Sequence, residues 1–195
     1  MHISLINPHI RVARESRLPA KHNISRRVIY DYEIIYLEKG EFSLIYDDIP
    51  YRCSQGDVIF LRPGIAHSFH FDHGDVSQPH IHFDITHRPQ SEKIPVSFKD
   101  YDQMTDTERG WLHEDYFASY PRHPLLTLHN KELFLDCFYR IIQRKDDPPP
   151  VKKALMIGLI SMLIEDHFPD SIKEVPTFRV ERQIKDYMDA GNGFG

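Results

Sequence analysis

In the stretch Gly56-Asp57-Val58-Ile59-Phe60-Leu61-Arg62-Pro63-Gly64-Ile65-Ala66-His67, a run of apolar and β-branched residues lies between two turn signals. Val58 to Leu61 have the length and composition of a buried strand, Gly56 marks one tight turn, and Pro63-Gly64 marks the next. A new strand then opens at His67. Successive side chains of a strand point to opposite faces, so His67 and Phe69 share one face while Ser68 and His70 share the other. In a small barrel one of those faces lines the interior.

The same pattern extends in both directions. RRVIYDYEIIYLEKG (26–40) is rich in aromatic and β-branched residues and ends on Gly40, and EFSLIYDDIPYRCSQ (41–55) turns at Asp47-Asp48. IAHSFHF (65–71) and PHIHFDI (79–85) alternate polar with apolar residues. Short strands at this spacing, with no helical pattern between them, predict an antiparallel sandwich or barrel over residues 27–105. Near residue 105 the character changes. LHNKELFLDCFYRIIQRK places Leu133, Phe134, Cys137, Phe138, Ile141 and Ile142 at helical spacing, and after the prolines at 148–150, VKKALMIGLISMLIEDHF repeats the pattern. Its apolar residues form one stripe at Leu155, Leu159, Met162 and Leu163 and a second at Met156, Ile160 and Ile164. This antiparallel helix pair either caps the barrel or uses its surplus apolar width as an interface, for which Leu155, Leu159, Met162 and Leu163 are the candidates. A further helix interrupted by Gly110 is expected in DTERGWLHEDYFASY, turning Trp111, Leu112 and Tyr116 inward, and another near Val180, Ile184 and Tyr187.

At 195 residues, with 41% hydrophobic and 12% aromatic residues, the chain has the length and bulk for one domain with a sizeable core, which excludes global disorder. No apolar run reaches the roughly 18 residues of a membrane span, and charges fall where a signal peptide would be apolar, so a cytoplasmic protein is expected. Cys53 and Cys137 form no metal-binding spacing and read as two buried or half-buried thiols. The net charge of −5 argues against direct nucleic-acid binding. Residues 1–30 nevertheless carry Arg11, Arg14, Arg17, Lys21, Arg26 and Arg27 against Glu15 alone, a basic arm expected over 1–26 that folds back onto an acidic body.

The Gly56–His67 stretch resembles the second motif of the cupin superfamily in its order of Gly, then Pro and Gly, then His, and Glu33 to Gly40 resembles the end of the first. The fold so implied is mainly β with C-terminal helices: a double-stranded β-helix, or jelly-roll-like barrel, followed by the helix pair. Cupins hold one divalent metal with two histidines and a glutamate of the first motif and a histidine of the second. Here Arg27, Val28, Ile29 and Tyr30 precede Glu33, so only Glu33 and His67 remain, fewer than the roughly three protein donors of a catalytic site. His80 and His82, alternate residues of one strand, offer the alternative set Glu33, His67, His80 and His82; otherwise these histidines are a polar lining with Ile81, Phe83 and Ile85 packed on the opposite face.

Taken over nearly its full length, the chain is similar to the N-terminal regulatory region of AraC-type transcription factors: arm, barrel with YEIIYLEKG and GDVIFLRPGIAHSF, helix pair, and a terminal piece, Ile184 to Asn192, like the helix that opens their DNA-binding region. That resemblance implies a metal-free, cofactor-free barrel that binds a small-molecule effector, a homodimer built on the helices of 106–170, and a 171–195 linker leading to helix-turn-helix units that this sequence does not contain. The effector expected of a polar, aromatic interior is a carbohydrate, with contacts from Tyr36, Lys39, His67, Phe69, Gln78, His80 and His82, each of which can equally be packing. No GxSxG, Walker, GxGxxG or HExxH pattern is present, so no catalytic residue is assigned. A metal-dependent cupin isomerase or dioxygenase is the alternative.

Overall fold

Parity along one short strand sets the frame. In β4 (Tyr32–Tyr36) residues alternate between two apolar environments, with Tyr32, Ile34 and Tyr36 on one side and Glu33 and Ile35 on the other. The computed structural model describes residues 5–71, 74–143 and 148–171. In it β4 is the centre of a five-stranded antiparallel sheet ordered β1 (His9–Arg14), β10 (His80–Asp84), β4, β7 (Val58–Leu61) and β11 (Leu125–Leu126). A second sheet is ordered β3 (Asn23–Arg27), β8 (His67–His70), β5 (Glu41–Tyr46) and β6 (Ile49–Ser54), and β2 (Arg17–Leu18) pairs with β9 (Val76–Ser77). The predicted barrel with C-terminal helices is therefore the observed architecture.

The inner faces of the two sheets meet in one apolar cluster containing Ile35, Ile59 and Leu61 from the first sheet and Phe42, Leu44 and Phe69 from the second. The outer face of the five-stranded sheet carries Tyr32, Ile34, Phe60, Ile81 and Phe83, and these pack under α2 (Lys131–Gln143) and α3 (Pro149–His167). The expected packing of Ile81, Phe83 and Ile85 opposite the histidines is thus observed. Asp47 and Asp48 both take positive φ (51° and 63°), which gives the β5–β6 hairpin its tight two-residue turn. Gly40 is required where it stands: its φ is 91°, and an added Cβ would lie 2.9 Å from the Asp75 carbonyl oxygen.

Three expectations need correction. The N-terminal segment is not a separate arm. β1 pairs with β10 from His9↔Asp84 to Arg14↔His80, and β3 pairs with β8 from Asn23↔His70 to Arg27↔His67. Its basic residues do fold onto the acidic body, but as strands: Arg11 pairs with Asp31 and Asp84, and Arg26 with Asp48 and Asp100. Second, DTERGWLHEDYFASY forms only one helical turn, α1 (Asp106–Arg109), capped by Thr105 and Glu108 and ended at Gly110; Trp111 and Leu112 pack beside Tyr30. Third, Leu159 and Leu163 are buried in the chain's own core, at 0% and 2% exposure, so two of the four proposed interface positions face the sheet. Leu155 and Met162 are half-buried against the same core and share a stripe with exposed Val151 and with Gly158, beside which nothing lies within 4 Å of an added Cβ. The helix expected near Val180, Ile184 and Tyr187 lies outside the described residues.

The core assignment predicts an asymmetry within the helix pair. Leu159→Ala should lower the unfolding free energy by about 2–5 kcal/mol, while Leu133→Ala, at a half-exposed position, should stay within about 0.5 kcal/mol of wild type. Equilibrium urea unfolding monitored by circular dichroism checks both.

Candidate functional site

Apolar side chains fill one part of the barrel interior, and a cavity of about 600 Å³ occupies the rest. Its wall is built from β1, β2, β3, β4, β8 and β10, with Ser16, His22, Gln78, Val96 and Phe98 from the connecting segments. Strand parity selects the lining. On β10, His80, His82 and Asp84 alternate with the residues packed under the helices, and pairing sets His82 opposite Glu33 and His80 opposite Arg14. The contacts follow from that register. His82 Nε2 lies 3.3 Å from Glu33 Oε1 and its Nδ1 lies 3.1 Å from Asp31 Oδ1. Arg14 Nε donates to His80 Nε2 over 3.2 Å, and Arg27 Nε donates to His67 Nε2 over 3.2 Å.

Burial sorts the three histidines by charge. For His82, burial opposes the imidazolium, but Glu33 and Asp31 outweigh it and raise the pKa to about 10. Glu33 responds in the opposite sense: burial alone would raise its pKa, yet His82 with His80 and Arg27 holds it well below the usual carboxylate range. Among the described residues His67 touches no carboxylate, and burial with the neighbouring Arg27 outweighs the more distant Glu33 and lowers its pKa to about 4. Burial likewise lowers that of His80. The neutral rings fit their hydrogen bonds, since His67 Nδ1 donates to the Ile65 carbonyl and His80 Nδ1 to the Gln78 carbonyl. Beneath this layer, Arg11 makes a two-point contact with Asp84, Nε to Oδ1 at 3.0 Å and Nη2 to Oδ2 at 2.9 Å, and also donates to the Ile94 carbonyl.

Of the residues singled out in the sequence, Phe69, Gln78, His80, His82 and Glu33 lie on the cavity wall. His67 does not; it is 1% exposed and is held by Arg27, which itself lines the cavity. Tyr36 and Lys39 are corrections. Tyr36 points away from the interior and packs edge-on against Tyr139 of α2. Lys39 is exposed past the end of β4 and borders a separate open cleft with Arg17 and Asp75. Sequence reading missed Val12, Arg14, Arg27 and Phe98. The polar and apolar residues of IRVAR do not alternate cleanly, and a bulge between Ile10 and Val12 shifts the register, so no simple period marked Val12 and Arg14 as sharing the cavity face.

Glu33, His80 and His82 bring three potential ligand atoms within 4.8 Å of one another, while His67 stands outside the set. The donor types suit a divalent ion, but the surroundings do not. Both ring nitrogens of His82 face carboxylates, the lone pair of His80 accepts from a guanidinium, and a second guanidinium, Arg27, lies 4.0 Å from Glu33 Oε2. A cation would have to enter between two arginines and displace one of them.

A family model described as the AraC-like ligand binding domain matches residues 5–131. Solved structures similar to this chain include a predicted oxalate decarboxylase from Thermotoga maritima, 21% identical over 37% of this chain and 65% of that one, with a TM-score of 0.35. A cupin superfamily protein from Desulfitobacterium hafniense is 14% identical over 36% and 63%, with a TM-score of 0.34, and a DMSP lyase from Ruegeria pomeroyi is 19% identical over 35% and 35%, with a TM-score of 0.33. The chain covers less than two thirds of each of these three. None of the curated proteins matches it.

The charge on His82 yields a pH signature. Its folded-state pKa near 10 lies above the 6.5 of a free imidazole, so its stabilising contribution is complete below pH 6.5 and is lost as pH rises through 10. His82→Gln should therefore lower the melting temperature most near pH 6, by breaking a buried pair of about 3–5 kcal/mol, with the gap to wild type narrowing toward pH 10. Thermal unfolding of both proteins across that range measures it.

Proposed function

The chain belongs to the family of AraC-like ligand-binding domains, and on that premise we propose that its barrel senses a small-molecule effector, a carbohydrate or a close relative, and converts occupancy into control of transcription. One observation carries the reading: an open cavity of about 600 Å³ whose wall carries the polar side chains of Arg14, Arg27, Glu33, Gln78, His80 and His82. Among the described residues no nucleophile stands beside a base on that wall, which favours reversible recognition over covalent catalysis. Val12 and Arg14 of β1 line the cavity, while Ile10 and Ala13 of the same strand pack against the core shared with α2 and α3. An effector that tightens β1 in one arrangement thus biases how the helices sit, to the extent that it binds the two arrangements differently.

In this reading a second copy docks on the helix pair, and DNA is read by helix-turn-helix units following residue 195, not by the acidic barrel. The contact surface is the stripe Val151, Leu155, Gly158 and Met162, in which a glycine allows close approach of a partner helix. Leu155→Glu should halve the light-scattering mass without loss of secondary structure. An unchanged dimer would place the contact elsewhere, and a monomeric wild type would remove it.

The sensor reading is tested by a thermal-shift screen of sugars, sugar acids, amino acids and aromatic acids. A ligand at 100 times its dissociation constant should add about 2.7 kcal/mol of stability, and Val12→Trp, which fills the cavity, should abolish the shift. A shift that survives Val12→Trp, or no ligand at all, would count against it. The competing reading, a metal-dependent cupin enzyme, draws on the proximity of Glu33, His80 and His82. One equivalent of tightly held Fe, Mn, Ni or Zn that is lost in His80→Ala would favour the enzyme.

A further inference from the structure

Two arginines face the cavity, and neither makes a hydrogen bond to a carboxylate. Arg14 and Arg27 each donate Nε to a histidine. Arg14 makes no ion pair among the described residues, and the nearest carboxylate oxygen to Arg27 is Glu33 Oε2 at 4.0 Å. The charges beneath the wall are already matched, Asp31 and Asp84 against Arg11 and Arg88. Among the described residues Glu33 is the single carboxylate on the wall, and it is shared with His82. Positive charge is thus left over, on side chains whose remaining Nη groups suit the paired oxygens of a carboxylate or phosphate.

The same wall carries an opposite deficit. Among the described residues Glu33 Oε2 and Gln78 Oε1 are buried acceptors with no hydrogen-bond partner, on side chains of residues only 4% and 5% exposed. A buried acceptor left unmet is costly; both atoms are shut off from water, so a ligand reaches them only when the two side chains turn toward it, a turn that hydroxyl donors would stabilise. Phe98, 74% exposed with Arg27 stacked 5.5 Å from its ring centroid, adds an aromatic face. A neutral sugar would satisfy the acceptors and leave the guanidinium groups without a counter-charge. A plain aliphatic or aromatic acid would do the reverse.

We propose that the effector is a small hydroxylated anion of the sugar-acid type, its acid group held by Arg14 and Arg27 and its hydroxyls donating to Glu33 and Gln78. This assignment rests on the effector-binding reading above. The acid group can be a carboxylate or a phosphate, and the probes separate the two.

Titration calorimetry of the 195-residue chain with D-galacturonate, D-gluconate and D-glucose 6-phosphate, against D-galactose, D-glucose and benzoate, tests it. At least one hydroxylated anion should bind 100-fold or more tightly than its neutral parent and than benzoate, and the preferred anion identifies the acid group. Arg14→Gln, at an exposed position that should not threaten folding, should weaken that anion at least 10-fold while changing the neutral parent less than 2-fold. Arg27→Gln should do the same where it folds, and Gln78→Leu should weaken both. Parent and acid binding within 3-fold of each other, or benzoate binding as well as the sugar acids, would overturn the proposal and leave the effector reading standing. So would silence from all six probes alongside a cavity ligand of other chemistry from the thermal-shift screen. Silence in both experiments would remove the proposal and the effector reading together.

Discussion

A carboxylate inside a protein must be met by positive charge or give up its own, and Glu33, near the centre of the barrel, is met by His82 and approached by Arg27. Glu33 and these two partners come from three different strands, so the register of the shell and the electrostatics of its interior are not independent. Moving β10 by one residue against β4 would put Ile81 or Phe83 beside Glu33 and send both cavity histidines toward the helices. Charge pairing therefore helps to hold the one alignment in which the apolar residues of β10 reach the helical layer and its polar residues reach the cavity.

The layers follow from that alignment. Apolar residues on the outer face of the five-stranded sheet need cover, and α2 and α3 supply it, while those on the inner face meet the second sheet. The cavity survives because the apolar cluster of the interior stops short of the polar wall. Its lining combines a neutral ring on His80 with a charged one on His82, and the neutral His67 sits behind it, a division made by which ring touches a carboxylate.

Much of this was legible in the sequence where periodicity is clean. The strands between Tyr32 and Asp84 and the two long helices follow their hydrophobic patterns, and alternation in PHIHFDI places His80 and His82 on one face. Tyr36 was misplaced by a matter of parity: three positions from Glu33 on one strand, it must take the opposite side. Lys39 lies beyond the strand's end, where alternation no longer applies. The strands of residues 9–27 were hidden because they are short and rich in arginine, and only a partner strand far along the chain reveals the carboxylates that make such charge compatible with a sheet. In α3 the apolar residues surround most of the helix, so the pattern alone does not say which stripe faces the sheet; the burial of Leu159 and Leu163 does.

Arg14 and His80, bonded across the cavity wall, are 66 positions apart, and β1 pairs with β10 along its whole length. On the ribosome, then, the first strand emerges without its neighbour and waits until most of the shell has been synthesised. A wall built this way closes only when the start of the polypeptide is captured by a segment made long after it.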